Sequence, residues 1–141
     1  MTFADRQAGY SMTYPEGWAQ NGAASSVSFR DKNNVVRVVV QPGTVPSVAG
    51  VRADLSTLKR TTPSLKFNPP QHLTVRGASA IKVVYRTESA VNPVTNKRVE
   101  LIVDRYYLAH GTKRAVVDLG TPVGVDNVDA YRLMINSFRW R

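Results

Sequence analysis

The sequence predicts an α+β fold in which a central antiparallel β-sheet is flanked by helices. Several segments alternate apolar and polar residues and are joined by short turns, which is typical of antiparallel pairs. Two other segments carry apolar residues at helical spacing. Antiparallel pairs joined by short turns favour this class over a wound parallel sheet, and no glycine-rich phosphate loop follows any of the strand segments.

The size of the chain predicts a single domain spanning residues 1–141, because one core is enough at this length. Hydrophobic residues make up 43% and charged residues 21%, which is ordinary globular usage. The chain contains no cysteine, which excludes disulfides, thiolate nucleophiles and thiolate metal sites.

The N-terminal third predicts a short strand and a hairpin. Residues 10–14 alternate large and small side chains and end at a proline and glycine turn that positions Trp18. Residues 27–30 alternate again, and residues 35–40 are strongly β-branched. Four turn-forming residues separate these two segments, so they predict a hairpin.

The middle of the chain predicts a helix followed by two strands. Residues 51–61 carry Val51, Leu55 and Leu58 at spacings of four and three, which indicates one apolar helix face. Residues 73–75 and 79–88 then return to a two-residue period. In the second of these strands we expect one side to carry Ile81, Val83 and Tyr85. The other side is expected to carry Lys82, Val84 and Arg86.

The C-terminal part predicts a hairpin and a closing helix. A turn-rich connection at residues 92–96 leads to a long strand at 99–110, which reverses at Gly111 into a partner strand at 113–121. Asp126 can cap the final helix. We expect its apolar stripe to contain Val128, Tyr131, Leu133, Met134, Ile135 and Phe138.

No constellation in the sequence predicts a catalytic set, a cofactor site or a metal site. His72 and His110 lie in different elements, and a surface position is predicted for each. Asp104 and Asp118 could lie on neighbouring strands as paired carboxylates, but cross-strand charge pairing beside Arg105 is the favoured interpretation. No serine lies in a nucleophile-elbow motif.

The formal net charge of +9 favours encounters with anionic surfaces. The candidate binding face is the outward row of Lys82 and Arg86, with Arg105 on an adjacent strand, and the partner would be an acidic protein surface. The competing interpretation is a solvated sheet face decorated with basic side chains. Because the basic residues are dispersed and form no run, the pattern argues against nucleic-acid binding.

Several segments together resemble the PsbP-like family of the Mog1/PsbP fold. These are residues 10–18, residues 27–31 leading into 35–42, and the closing residues 131–138 with their Ser-Phe pair. The resemblance implies an α-β-α sandwich in which Trp18 anchors the core and Phe138 packs the last helix. Proteins of this kind include lumenal photosystem subunits, a nuclear transport factor and exported bacterial proteins, mostly adaptors, with no shared catalytic set.

We therefore expect a non-catalytic binding or accessory domain, extracytoplasmic by resemblance only. The chain has no stretch long and apolar enough to span a bilayer. Attachment to a membrane through a segment outside these residues is an open alternative. The alternative is a small-molecule-binding or enzymatic domain with a pocket between sheet and helix, lined by Tyr106, Tyr107 and Trp140.

Overall fold

The computed structural model describes residues 1–91 and 93–141. Within these ranges the helices are α1 (Val48–Thr61) and α2 (Val128–Ser137). The strands are β1 (Thr2–Asp5), β2 (Tyr10–Thr13), β3 (Ala19–Ala23), β4 (Ser26–Asp31), β5 (Asn34–Pro42), β6 (Lys66–Phe67), β7 (Gln71–Val75), β8 (Ala78–Glu88), β9 (Glu100–His110), β10 (Lys113–Pro122) and β11 (Arg139–Trp140).

The strands form one large sheet and one small one. The large sheet has the order β3-β4-β5-β10-β9-β8-β6, and β7 also pairs with β8. The small sheet has the order β1-β2-β11. Every pairing in both sheets is antiparallel. The predicted α+β class with a central antiparallel sheet is thus confirmed.

The two helices lie on opposite sides of the large sheet, each over its own hydrophobic cluster. On one side α1 buries Val51 and Leu55 against strands β8, β9 and β10. On the other side α2 and the small sheet pack against side chains of β4, β5, β9 and β10. This arrangement is the predicted α-β-α sandwich, and in it the central strands β8, β9 and β10 bury alternate residues in different clusters.

The two predicted hairpins are present, and their turns explain their register. At the second hairpin His110 pairs with Lys113 across a two-residue turn. Gly111 begins that turn with φ of 60°, a left-handed conformation that glycine adopts without steric cost. At the connection between β8 and β9, residues 93–95 form a turn as predicted, whereas Asn92 lies outside the described residues.

Helix α1 begins at Val48, three residues before the predicted start, because Ser47 caps it. The Ser47 Oγ accepts a hydrogen bond from the Gly50 N–H at 3.0 Å. At α2 the N-cap position is Asn127, not the predicted Asp126, and the Asn127 side chain makes no capping hydrogen bond. Asp126 lies one residue earlier, and its Oδ1 accepts from the Val128 N–H at 3.0 Å.

The predicted apolar stripe of α2 is wrong at two positions. Val128 and Leu133 are 60% and 59% exposed, whereas Tyr131 and Ile135 are buried. Leu133 lies two residues from both Tyr131 and Ile135, and a two-residue step turns a helix by more than half a circle. Phe138 is buried as expected, in the extended segment immediately after the helix.

Four short strands were not predicted, namely β1, β3, β6 and β11. None has a continuous two-residue hydrophobic period, and β3 is exposed along its whole length. Each of them forms its backbone hydrogen bonds with a neighbouring strand that the sequence does predict. Pairing with a neighbour, rather than local sequence preference, therefore decides their conformation.

Candidate functional site

The register of the large sheet separates the three residues of the predicted binding face. Lys82 pairs with Tyr106, and the next residue, Val83, pairs with Arg105. Directly paired residues project to the same side of a sheet, and consecutive residues project to opposite sides. Lys82 and Arg86 thus lie on the α2 side and Arg105 on the α1 side, so the prediction of one shared face is wrong.

Lys82 and Arg86 already have acidic partners on the α2 side. The Lys82 Nζ lies 3.8 Å from Asp104 Oδ2, and Arg86 Nη1 lies 3.2 Å from Glu100 Oε1. Lys82 also lies 5.4 Å from the centre of the Tyr106 ring. Both ion pairs are partly exposed, so each is an ordinary cross-strand pair.

Arg105 is a buried partner of Asp118 instead of a surface cation. Its Nε and Nη2 donate to the two carboxylate oxygens at 2.7 and 2.9 Å, and the two side chains are 12% and 18% exposed. Burial acts to lower the pKa of Arg105, but the hydrogen bonds and charge of Asp118 outweigh it and raise that pKa. The favoured interpretation of Asp118 as a cross-strand charge partner is confirmed.

Asp104 and Asp118 project from opposite sides of the sheet, so the hypothesis of paired carboxylates is wrong. Asp104 pairs in register with Leu119, and Asp118 pairs with Arg105. Among the described residues no group of three or more His, Cys, Asp or Glu side chains could hold a metal ion. Both histidines are exposed, as predicted, and His110 stacks on Trp140 with 6.1 Å between ring centres.

Tyr107 links the Arg105 pair to helix α1. Its hydroxyl donates to Asp54 Oδ2 at 2.9 Å and lies 3.4 Å from Arg105 Nη1. Burial raises the pKa of Tyr107 to about 12. The Arg105 guanidinium also lies 5.5 Å from the centre of the Tyr85 ring. These contacts satisfy the buried polar groups from within the fold.

The alternative pocket lined by Tyr106, Tyr107 and Trp140 does not form. Tyr106 and Tyr107 are consecutive residues of β9 and are buried in different clusters, and Trp140 lies on the small sheet. A groove of about 580 Å³ does run between α2 and strands β7 to β10. Of the three aromatic residues it contains only Tyr106, beside the Lys82–Asp104 ion pair.

The surface that sequence reasoning missed lies on the α1 side, where the helix covers only part of the sheet. One row of paired residues crosses six strands there, namely Asn21, Ser28, Arg37, Asp118, Arg105 and Val83. Val83 is buried beneath α1, whereas Arg37 and Asn21 are exposed. Strands β3, β4 and β5 therefore present this side without a covering helix.

We call this uncovered surface, together with Arg114 of the adjoining strand β10 at the edge of α1, the arginine face, and we define it by Arg30, Arg37 and Arg114. No ion pair joins any of these three side chains to another described residue. Arg114 is held over the loop after β5, with its Nη1 donating to the Thr44 carbonyl at 3.4 Å. With its amide oriented to match, Gln41 accepts from Arg114 Nε at 2.9 Å.

Two hollows lie on the arginine face and share Arg37 and Asp118. The first, of about 330 Å³, lies beside α1 and is lined by Asp54, Arg105 and Arg114. The second, of about 280 Å³, extends from β4 to the end of β8. The one sequence signal for this surface is that Arg37 interrupts an apolar β-branched strand.

The strand order, the antiparallel pairing and the helix on each side define an α-β-α sandwich of the PsbP-like fold. Among solved structures the chain is similar to cyanobacterial PsbP from Synechocystis sp. PCC 6803, with a TM-score of 0.68 and 15% sequence identity. That alignment covers 100% of this chain and 92% of the other. The resemblance stated from the sequence is thus confirmed at the level of the fold.

A second similar structure comes from Bacteroides thetaiotaomicron VPI-5482, with a TM-score of 0.62 and 12% identity. The alignment covers 99% of this chain and 48% of that one, so this chain spans about half the length of the Bacteroides protein. No protein-family model and no curated protein sequence matches the chain. Neither helix in the described ranges has the length and apolar character needed to cross a bilayer.

Proposed function

We propose that residues 1–141 act as one non-catalytic binding or accessory module that engages an acidic surface of a partner protein. The observation that carries this proposal is the arginine face, on which three guanidinium groups form no ion pair with the described residues and two of them, Arg30 and Arg37, lie on strands that no helix covers. A flat sheet face with unpaired charges offers a partner both contact area and electrostatic complementarity. The net charge of +9 would speed the approach of an acidic partner.

The polar side chains buried under α1 support a binding role because they are bonded to one another. Arg105 and Asp118 neutralise each other, and Tyr107 is bound to Asp54. These buried groups connect the sheet to α1. The resemblance to the PsbP-like family implies an adaptor role, and this analogy supports the same proposal.

We also propose that the module works outside the cytoplasm, either secreted or tethered to a membrane through another segment. The proposed location is supported by the resemblance to PsbP-like proteins. It does not depend on any particular residue of the chain. Fractionation of the source cells, with an antibody against the domain, tests it directly. Recovery of the protein in the cytoplasmic fraction alone would exclude an extracytoplasmic role.

Fluorescent poly-L-glutamate is a suitable probe for the acidic partner. The test variant reverses the arginine face by Arg30→Glu, Arg37→Glu and Arg114→Glu. Binding measured by fluorescence anisotropy at low salt is expected to weaken by at least about tenfold, because all three cations contact the probe. Circular dichroism and thermal unfolding establish that the variant is folded.

The matched control reverses three exposed cations on the outer surface of α1, by Arg52→Glu, Lys59→Glu and Arg60→Glu. It changes the net charge by the same amount, and we expect much less than a tenfold loss of binding. Equal losses in the two variants would mean that only net charge matters and would refute the arginine face as the site. Tighter binding of double-stranded DNA than of poly-L-glutamate, with the steep salt dependence of phosphate contacts, would favour a nucleic-acid binder instead.

A further inference from the structure

The second hollow of the arginine face, which we call the Gly120 pocket, has an apolar floor. One row of paired residues, Arg30, Val35, Gly120, Val103 and Tyr85, crosses strands β4, β5, β10, β9 and β8. Gly120 has no side chain, and Val35 and Val103 close over it. A Cβ at Gly120 would lie 3.1 Å from Val35 Cγ1 and 3.7 Å from Val103 Cγ2.

This floor is open to a partner because α1 does not reach it. None of the residues that line the pocket belongs to the helix, and Val35 is only half-buried. The volume of about 280 Å³ lies just below the range of about 300–1,000 Å³ that is usual for whole small-molecule ligands. A space of this size suits one large side chain better than a complete ligand.

The charges around the pocket are unevenly placed. Arg30 and Arg37 lie at its β4–β5 end, and Glu88 lies at its β8 end. The Arg105–Asp118 pair behind them is closed on itself and adds no net charge. A bound chain would thus place its acidic groups toward β4 and β5 and its apolar side chain over Val35 and Gly120.

We infer that the Gly120 pocket receives one aromatic side chain of an acidic partner segment, whose carboxylates bind Arg30 and Arg37. This inference rests on the proposed function and specifies the partner chemistry. An apolar anchor in a pocket beside charged contacts is the arrangement in which a few residues supply most of the binding energy. The ring of Tyr85, which lines the pocket, offers an aromatic contact to the anchor.

Two fluorescein-labelled peptides test the inference, one of several glutamates followed by phenylalanine and one with alanine in place of the phenylalanine. Burial of the phenyl ring is expected to make the first peptide bind about tenfold more tightly. This preference is expected to disappear in Val35→Ser, which removes the apolar floor, and in Val35→Phe, which fills the pocket. If one variant does not fold, the other still tests the pocket.

The control variant is Val84→Ser, a half-buried valine on the α2 side of β8, which should retain the full preference. Equal binding of the two peptides by the unmodified chain would refute the inference that the Gly120 pocket receives an aromatic side chain. It would not contradict the proposed binding of an acidic partner. Persistence of the preference in a folded Val35 variant would also refute the inference.

Binding of neither peptide at low salt would refute the proposed function together with the inference. Equally tight binding of a lysine peptide that ends in phenylalanine would refute the role of Arg30 and Arg37.

Discussion

Arg105 and Asp118 form a bidentate ion pair between neighbouring strands β9 and β10, and this pair is almost enclosed by the fold. Their N–O distances are 2.7 and 2.9 Å, and less than a fifth of either side chain is exposed. The pair lies between the part of the sheet that α1 covers and the open arginine face. The sequence predicted that Arg105 belongs to a binding surface. The structure shows instead that Arg105 supports the sheet beside the arginine face.

The first prediction concerns the free energy of unfolding. Arg105→Met and Asp118→Leu, made singly, are each expected to lower it by about 3 kcal/mol, because each leaves a buried charge without its partner. The double variant should cost clearly less than the sum of the two, since no charge is then left unpaired. Urea unfolding of the four proteins gives the coupling energy.

The exposed pair of Arg86 and Glu100 provides the control for this cycle. Arg86 is 57% exposed, so Arg86→Met should lower the free energy of unfolding by no more than about 1 kcal/mol. Additive costs for Arg105→Met and Asp118→Leu would show that the two side chains do not depend on each other.

The second prediction compares two buried tyrosines that differ in how their hydroxyl groups are satisfied. Tyr10 is fully buried and stacks on Phe138 at 5.2 Å, but its hydroxyl has no hydrogen-bond partner among the described residues. Tyr131 donates to the Gly120 carbonyl at 2.5 Å. Tyr10→Phe should raise the free energy of unfolding by about 1 kcal/mol, and Tyr131→Phe should lower it by about the same amount.

Thermal and urea unfolding measure both changes. The two substitutions remove the same atom and keep both rings, so each serves as the control for the other. A destabilising Tyr10→Phe would mean that the Tyr10 hydroxyl makes a favourable interaction in solution.

The third prediction concerns acid. Asp5 accepts hydrogen bonds from the Ala8 N–H at 2.9 Å and the Ala24 N–H at 2.6 Å, which lower the pKa of its carboxyl below the ordinary value of 3.8. A lowered folded-state pKa adds stability above the unfolded-state value, and this stability is lost as the pH falls through the folded-state pKa. The wild-type chain should therefore lose stability below about pH 4, and Asp5→Asn should lose less over the same interval.

Urea unfolding at neutral pH and at about pH 3 measures this difference. Asp126→Asn is the matched control, because within the described ranges the Asp126 carboxylate accepts a backbone hydrogen bond only from Val128. An acid response of Asp5→Asn equal to that of the wild type would mean that Asp5 does not contribute to acid sensitivity.

Much of the fold was predictable because its longer elements have strong local patterns. The β-branched run that became β5 and the alternation along β8 each specify a strand without reference to the rest of the chain. The short strands β1 and β11 were missed because they have no such pattern and exist only by pairing with β2.

The candidate site was much less predictable than the fold. Alternation correctly placed Lys82 and Arg86 on one side of their strand. It could not place Arg105 relative to them, because the alternation of one strand says nothing of its register with the next. A shift of one residue between β8 and β9 would have brought Arg105 to the side of Lys82.

The sequence alone determined which of the longer segments are strands and helices, which side chains share a side of each of these strands, and that no cysteine chemistry is present. The tertiary structure alone decided which cations remain unpaired and which part of the sheet α1 leaves uncovered. The physical reason is that side-chain direction follows from local backbone geometry. The neighbours of a side chain such as Arg37 depend instead on hydrogen-bonded strands and a helix that come from distant parts of the chain.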